Sequence, residues 1–325
     1  MPALKVWPVA DGAWQVRLPL PWELASVNVF LFRRGNGFVL LDSGIRSDDS
    51  LLALEAALLH LGADWTSITE ILISHLHPDH MGAAAEIRRR SGAPVRMPAL
   101  EAELVRPLGP HQRFFGEAAV FLRRNGMPVE DVETMRRSAS AGRRSYERLL
   151  VDGPLEEGER IGFEGGTLNA VAAPGHSPAL LCFYCPQQKV LFSTDAILPR
   201  ITPNIGVQWF YEGDPLGDYL RSLEKLEKLD AGTVVPSHGR PFQGHREWIE
   251  STRSHHARRC DTIAGTLADD PLDAYRIAVA VWGEHRSLQD RRFAMSESLS
   301  HLEYMALGQR VEKIQIDGVA HWKRQ

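Results

Sequence analysis

The sequence has few cysteines, no long apolar run and no large excess of one charge sign. Only 3 of its 325 residues are cysteine, which excludes a small disulfide scaffold and makes a reducing cytoplasm the expected location. No run of about 18 apolar residues occurs, so we expect no transmembrane helix. The first residues lack the pattern of a secretory signal. The net charge of −4 gives no general attraction to nucleic acid or membranes.

Alternating strand and helix patterns predict an α/β protein. Residues 14–43 contain short runs rich in β-branched and aromatic residues, and Gly35-Asn36-Gly37 predicts a hairpin turn between two of them. Helix, strand and helix patterns follow as far as Gly92. Residues from about 98 to 150 show helical patterns only, which indicates a helical insertion. Strand patterns then resume, so we expect one large domain over residues 1–244.

The C-terminal residues 245–325 show three helical patterns and a short hairpin-like segment, which predict a small winged-helix-like domain. They carry 12 Lys and Arg against 12 Asp and Glu, and the third helical pattern has no basic residue. Because helices that bind nucleic acid need positive charge near phosphates, this balance argues against a nucleic-acid partner. Packing, formation of a homodimer or closure of an active-site mouth are the interpretations that we favour for this domain.

Four potential metal ligands fall within six residues, directly after an apolar strand pattern. Residues two apart point to the same side at a strand end, so His75 and His77 can bind one metal ion. Pro78 then turns the chain into a helix, whose first turn carries Asp79 and His80. These two side chains can reach a second ion about 3.5–4 Å from the first.

Three further candidates also follow apolar strand patterns. His176 lies in an Ala-Pro-Gly-His-Ser-Pro segment, Asp195 follows Phe-Ser-Thr, and His238 lies in Val-Pro-Ser-His-Gly. Functional residues concentrate on loops that a rigid scaffold positions. Together with the first motif, these residues predict a site for two metal ions.

The order of these motifs resembles that of the metallo-β-lactamase-fold hydrolase superfamily, over about residues 14–244. The resemblance implies a four-layer αβ/βα sandwich with a dinuclear site at the edge of two facing sheets. The C-terminal domain resembles the winged-helix extension of the branch with glyoxalase II-like and beta-lactamase-like protein 2 members. The motifs carry over one ligand set for each ion and one bridging carboxylate: His75, His77 and His176; Asp79, His80 and His238; and Asp195.

Five imidazoles and two carboxylates suit Zn²⁺, with iron or manganese as alternatives. Two cations that share a water lower its pKa from about 15.7 towards about 7, so a metal-bridging hydroxide is the expected nucleophile. Asp79 would orient this hydroxide and pass a proton to the leaving group. We expect hydrolysis of a small carbonyl ester, above all a thioester of the acyl-CoA or acyl-glutathione type. A phosphodiesterase or endoribonuclease that uses the same metal centre is the alternative.

A small-molecule substrate would also need contacts beyond the metal ions. Trp209, Phe210 and Tyr211 form an aromatic run in a loop, and we expect them to form one wall of the substrate cleft, with ordinary packing as the alternative. His111, in a Gly-Pro-His segment, is a candidate to point into the site or to lie on the surface.

Overall fold

Two compact units make up the chain in a computed structural model, which describes residues 5–105, 112–141, 149–211, 213–267, 270–284 and 287–325. The first unit lies within Met1–Arg106, Tyr146–Pro203 and Ser222–Glu247. The second lies within Pro107–Ser145, Asn204–Arg221 and Trp248–Gln325. The domain boundary predicted near residue 244 stays a prediction. None of the described helices is both long enough and apolar enough to cross a membrane.

The first sheet of the first unit contains seven strands in sequence order. Strands β1 to β4 are antiparallel and β4 to β7 are parallel. The Gly35-Asn36 turn joins β3 to β4, with a positive φ of 59° at Gly35, so the predicted hairpin is confirmed. The strands are β1 (Val6–Ala10), β2 (Ala13–Pro19), β3 (Ser26–Arg34), β4 (Gly37–Leu41), β5 (Ile68–Leu72), β6 (Val95–Met97) and β7 (Gly153–Pro154).

The second sheet has the order β12-β11-β10-β9-β8. Its strands pair antiparallel, except that β11 and β12 are parallel. Strands β10, β11 and β12 consist almost entirely of buried residues because both faces of this part of the sheet are covered. The strands are β8 (Arg160–Phe163), β9 (Gly166–Ala172), β10 (Leu181–Cys185), β11 (Val190–Thr194) and β12 (Thr233–Pro236).

Helices complete the layers around these sheets. The outer face of the first sheet packs on α1 (Asp48–His60) and α3 (Ala84–Ser91), where Leu54, Leu58 and Ile87 are fully buried. In α7 (Pro215–Glu227), Ser222 and Lys225 donate hydrogen bonds to backbone carbonyls at and just after the end of β9. The short helices α2 (Pro78–Met81) and α4 (Ala99–Val105) lie between strands of the first sheet in sequence. The predicted α/β class and four-layer sandwich are confirmed.

An apolar core fills the space between the two sheets. Phe192 of β11 lies at its centre, with edge-to-face ring contacts to Phe30 at 5.2 Å and to Phe32 at 4.9 Å between ring centroids. All three rings are fully buried. Since the contacts join β3 of the first sheet to β11 of the second, this cluster holds the two sheets together.

We expect Phe192→Leu to lower the free energy of unfolding by about 1–2 kcal/mol, because the shorter side chain loses both ring contacts and leaves a small void. Urea unfolding followed by circular dichroism measures the change. Leu52→Ala on α1 is the matched control, since Leu52 is 62% exposed and its truncation leaves stability nearly unchanged. Equal stability of the Phe192→Leu variant and the parent would contradict this description of the core.

The second unit consists mainly of helices. These are α5 (Gln112–Arg124), α6 (Val129–Ala141), α8 (His245–Thr266), α9 (Ala274–Trp282) and α10 (Leu288–Leu307), with the N-terminal part of α7. A three-stranded sheet has the order β13-β15-β14, with β13 (Leu272–Asp273), β14 (Val311–Ile316) and β15 (Val319–Arg324). Three C-terminal helices and a β-hairpin thus occur where the sequence patterns predict them. The insertion helices α5 and α6 belong to this same unit.

Candidate metal centre

The candidate ligands of the first unit lie where strands of both sheets end. His75 follows β5, Asp195 directly follows β11, and His238 follows β12. His77 precedes α2 as its N-cap, and Pro78 occupies the first helical position, where a missing N–H costs nothing. Asp79 and His80 then lie in that helical turn and are buried, while His176 follows β9.

The fold brings all seven predicted ligands into two adjacent groups, in each of which one donor atom per residue lies within 4.8 Å of the others: His75, His77, His176 and Asp195; and Asp79, His80 and His238. Asp195 reaches both groups. Its Oδ2 lies 3.3 Å from Nε2 of His176 and 3.4 Å from Nε2 of His80. Its Oδ1 lies 3.5 Å from Nε2 of His238. Asp195 therefore has the position of a bridging carboxylate.

These separations fit divalent cations. Two donors on one tetrahedral zinc ion, each at about 2.0–2.1 Å, lie about 3.4 Å apart. The three distances from Asp195 match that value, and so does the 3.3 Å between Oδ2 of Asp79 and Nε2 of His238. Nε2 of His80 and Oδ1 of Asp195 are buried without a hydrogen-bond partner among the described residues. Because unpaired buried polar atoms are costly, these atoms suit metal ligation.

The electrostatics of the centre also favour cations. Burial lowers the pKa of His77 to about 3 and that of His75 well below its usual value, so both imidazoles keep a free lone pair. At His238 burial also lowers the pKa, but Asp195 and Asp79 outweigh it and raise the pKa to about 10. The carboxylates thus favour positive charge in this centre. Bound metal ions would supply that charge in place of imidazole protons.

The sequence profile of the metallo-beta-lactamase superfamily matches residues 22–238. The chain belongs to the metallo-beta-lactamase superfamily. It is a metal-dependent hydrolase of that superfamily. The comparison therefore confirms the family that the order of the motifs indicated.

Similar proteins cover most of the chain. The probable metallo-hydrolase YqjP of Bacillus subtilis (strain 168) is 24% identical over 298 residues, 89% of this chain and 91% of that protein. A beta-lactamase-like protein 2 homolog of Caenorhabditis elegans is 24% identical over 252 residues, 77% of this chain and 68% of that protein. The solved structure of a beta-lactamase domain protein from Burkholderia ambifaria is 28% identical with a TM-score of 0.86, and covers 100% of this chain and 96% of that chain.

One shorter match has a more specific name. The atrochrysone carboxyl ACP thioesterase AgnL7 of Paecilomyces divaricatus is 35% identical over 86 residues, which is 26% of this chain and 25% of that protein. The similarity to superfamily members thus extends over the whole chain, whereas the similarity to this thioesterase covers one segment.

Asp42 is a buried carboxylate that contacts the candidate ligand His80, a role that was not predicted from the sequence. It is fully buried directly after β4, with a positive φ of 60°. Its carboxylate accepts hydrogen bonds from the backbone N–H of Ser74 at 2.8 Å, from Oγ of Ser74 at 2.9 Å and from Nδ1 of His80 at 2.8 Å. The last bond leaves Nε2 of His80 facing the centre. An aspartate directly after an apolar strand was the available signal.

The same network fixes the tautomer of His75. The Ser74 hydroxyl has one hydrogen, and Asp42 can only accept, so this hydrogen is donated to Asp42. The Ser74 oxygen then accepts from Nδ1 of His75, which lies 2.9 Å away. Nε2 of His75 therefore carries the lone pair, and it lies 3.0 Å from Nδ1 of His77 in the same ligand group. At His238, Nδ1 donates to the backbone carbonyl of Ser26 at 2.9 Å, so Nε2 faces the carboxylates of Asp79 and Asp195.

We expect Asp42→Asn to lower metal affinity or activity about 10–100-fold, because the amide cannot accept both from Ser74 and from His80 as the carboxylate does. Competition with a chromogenic chelator measures the metal affinity directly. The control is Asp49→Asn, which alters an exposed carboxylate on α1. An Asp42→Asn variant with unchanged metal affinity and activity would show that this carboxylate does not orient His80.

Glu101 of α4 is a second buried acid that the sequence analysis missed. Its Oε2 accepts from the backbone N–H of Leu76 at 3.0 Å. Its Oε1 accepts from Oγ of Ser177 at 2.6 Å and from the backbone N–H of Ala179 at 2.8 Å. One carboxylate thus joins the loop with His75 and His77 to the loop with His176. A glutamate inside a helical pattern gives no signal of such a role.

The predicted substrate contacts are three aromatic residues and one histidine. Trp209, Phe210 and Tyr211 belong to the second unit, where Tyr211 donates a hydrogen bond to Asp218 at 2.8 Å. Their role in substrate binding stays a prediction. His111 lies outside the described residues.

Proposed function

We propose that this hydrolase cleaves thioesters of small carboxylic acids with two divalent cations. The observation that carries the proposal is the convergence of five imidazoles and two carboxylates at separations typical of shared metal ions. One ion would be held by His75, His77 and His176, the other by Asp79, His80 and His238, and both by Asp195. The nitrogen-rich donor set favours Zn²⁺, with iron or manganese as the alternatives to test. When bound, such ions lower the pKa of water and polarise a carbonyl oxygen.

Asp79 is the proposed catalytic residue of the chain. Its side chain is 11% exposed, and its Oδ2 lies 3.3 Å from Nε2 of His238 and 3.8 Å from Nε2 of His80. In the reaction, water adds its oxygen to the acyl carbon, the carbon–sulfur bond breaks, and a carboxylic acid and a thiol leave. The proposed role of the Asp79 carboxylate is to orient the water, accept its proton and return a proton to the leaving sulfur.

The described cysteines do not compete with water as the nucleophile. Cys182, Cys185 and Cys260 are all buried. Burial raises the pKa of Cys182 to about 12 and that of Cys260 to about 11, so neither forms a reactive thiolate at neutral pH. Direct attack by water agrees with these environments, and no acyl-enzyme is required.

Two arguments support a thioester rather than a phosphodiester. An 86-residue segment of the chain is similar to a protein that is named as an acyl-carrier-protein thioesterase. A thiol leaving group has a pKa near 8.5, so it departs with only weak acid assistance, which a carboxyl group such as Asp79 can supply. The net charge of −4 gives no attraction to RNA, although the same metal ligands could serve a phosphodiesterase.

The test compares substrates with the same purified protein. Acetyl-CoA, hexanoyl-CoA and lactoyl-glutathione are assayed by thiol release, and bis(p-nitrophenyl) phosphate and RNA serve as phosphodiesters. We expect thioester turnover that a chelator removes and that Zn²⁺, Fe²⁺ or Mn²⁺ restores. Elemental analysis counts the ions bound before and after chelation. Chelator-sensitive cleavage of phosphodiesters without thioester turnover would overturn the proposal in favour of the phosphodiesterase.

A further inference from the structure

A cavity of about 200 Å³ lies within the second unit, lined by α5, α6, the loop before α7, and α10. Sites for drug-sized ligands are about 300–1,000 Å³, so this cavity suits one ring or a short hydrocarbon chain. Most of its wall is apolar or aromatic. The residues that form this part of the wall include Phe121, Leu122, Val132, Met135, Trp209 and Phe210.

The aromatic side of the cavity is held in place by backbone and side-chain hydrogen bonds. Gln208 and Tyr211 exchange two backbone hydrogen bonds of 3.1 and 2.9 Å, with Trp209 and Phe210 at the turn between them. The rings of Trp209 and Phe210 meet edge to face at 5.2 Å between centroids. The Gln208 side chain donates to Oγ of Ser296 on α10 at 3.0 Å. This wall is therefore formed before any ligand binds, which reduces the entropy cost of binding.

Two cations, Arg136 and Arg292, also line the cavity. Arg136 pairs with Glu133 at 3.0 Å. Arg292 of α10 lines the cavity, and its Nη1 donates a hydrogen bond to Oε1 of Gln208 at 3.1 Å. Burial lowers the pKa of Arg292 to about 10, and no carboxylate of the described residues offsets this effect. Its guanidinium also lies 4.7 Å from the centroid of the Phe293 ring. The adjacent Arg291, in contrast, pairs with Asp131 at 2.8 Å. Because a partly buried cation without an ion pair is costly, an anionic ligand in this cavity would stabilise Arg292.

We propose that this cavity binds a small carboxylate, whose apolar body packs against Trp209 and Phe121 and whose charge pairs with Arg292. The planar guanidinium matches a carboxylate with two parallel hydrogen bonds, and Nη1 is already oriented by Gln208. The carboxylic acid that thioester hydrolysis releases is a ligand of this kind. This connection between the cavity and the reaction rests on the proposed function. Binding itself does not depend on hydrolysis.

The experiment is calorimetric titration of the full-length chain, both as purified and after chelation of metal ions. Acetate, butyrate, hexanoate and phenylacetate are the probes, and phenylacetamide is the uncharged match for phenylacetate. We expect hexanoate or phenylacetate to bind with and without metal ions, and phenylacetamide to bind at least about 10-fold more weakly. Absence of binding for every acid would overturn the proposal. Because the metal-depleted protein is also titrated, failure of the carboxylate-binding proposal is distinguishable from failure of the hydrolase assignment.

Three variants separate the charge from the apolar wall. Arg292→Met should weaken phenylacetate binding at least about 10-fold and leave phenylacetamide binding unchanged. Trp209→Ala should weaken both ligands, because it removes the shared apolar contact. Arg276→Met is the charge-matched control, since Arg276 is a largely exposed residue of the same unit that does not line the cavity. Equal phenylacetate affinity in Arg292→Met and Arg276→Met would overturn the role of Arg292.

A thermal unfolding readout distinguishes binding from a structural role. Because Arg292 is only partly buried and makes no ion pair with a described residue, Arg292→Met should unfold at nearly the same temperature as the parent. A purely structural Arg292 would instead lower the unfolding temperature and leave carboxylate affinity unchanged. That combination would contradict the proposal.

Discussion

Asp195→Asn is expected to lower thioester hydrolysis about 10³-fold or more, since the metal ions supply several kcal/mol of transition-state stabilisation. Asp195 is the residue whose two oxygens approach imidazoles of both ligand groups, with Oδ2 near His176 and His80 and Oδ1 near His238. The amide has nearly the same shape, but its nitrogen carries two hydrogens and cannot bind a cation. The variant should therefore keep its fold and lose metal ions.

Elemental analysis after gel filtration measures the metal content of the Asp195→Asn variant, and thiol release measures its turnover. Asp230→Asn is the matched control, because Asp230 is an exposed carboxylate of the same unit that pairs with Lys189 on the surface. Circular dichroism should show the same folded state for both variants. If Asp195→Asn kept the metal content and turnover of the parent, Asp195 would not lie between two ions.

The sequence predicted the parts of the site that depend on local position. His75, His77, Asp79 and His80 are adjacent in the chain, so strand and helix geometry alone places them on one side of a strand end. Asp195 and His238 each follow a short apolar run with β-branched residues, which favours a buried strand. That these segments converge on one site was inferred from the resemblance to a known family. Spacing along the chain does not show which distant segments meet.

The supporting residues could not be predicted in the same way. Asp42 acts through Ser74 and His80, which are more than thirty positions away, and this contact exists only because β4 and β5 are neighbours. Arg292 lies beside Arg291 in the same helix, and no sequence pattern shows that Arg291 pairs with Asp131 whereas Arg292 contacts Gln208. These roles depend on tertiary contacts, and hydrophobic periodicity does not report such contacts.

The second large effect is expected for Glu101→Ala, which should lower the free energy of unfolding by about 3 kcal/mol or more. Glu101 is fully buried, and its carboxylate accepts from two backbone N–H groups and one hydroxyl. Truncation leaves these three donors buried without acceptors, and each such donor costs about 1–3 kcal/mol. The cost exceeds that of an ordinary surface substitution because Glu101 is fully buried and binds three donors.

The same variant should also reduce turnover, because the loop of His75 and His77 loses its connection to the loop of His176. Urea unfolding gives the stability, and thiol release at saturating metal gives the turnover. Glu101→Gln keeps the length of the side chain and one acceptor oxygen, so its loss of stability should be smaller than that of Glu101→Ala. Glu103→Ala on the same helix is the matched control, since Glu103 is exposed. Equal stability of the Glu101→Ala and Glu103→Ala variants would refute the connecting role of Glu101.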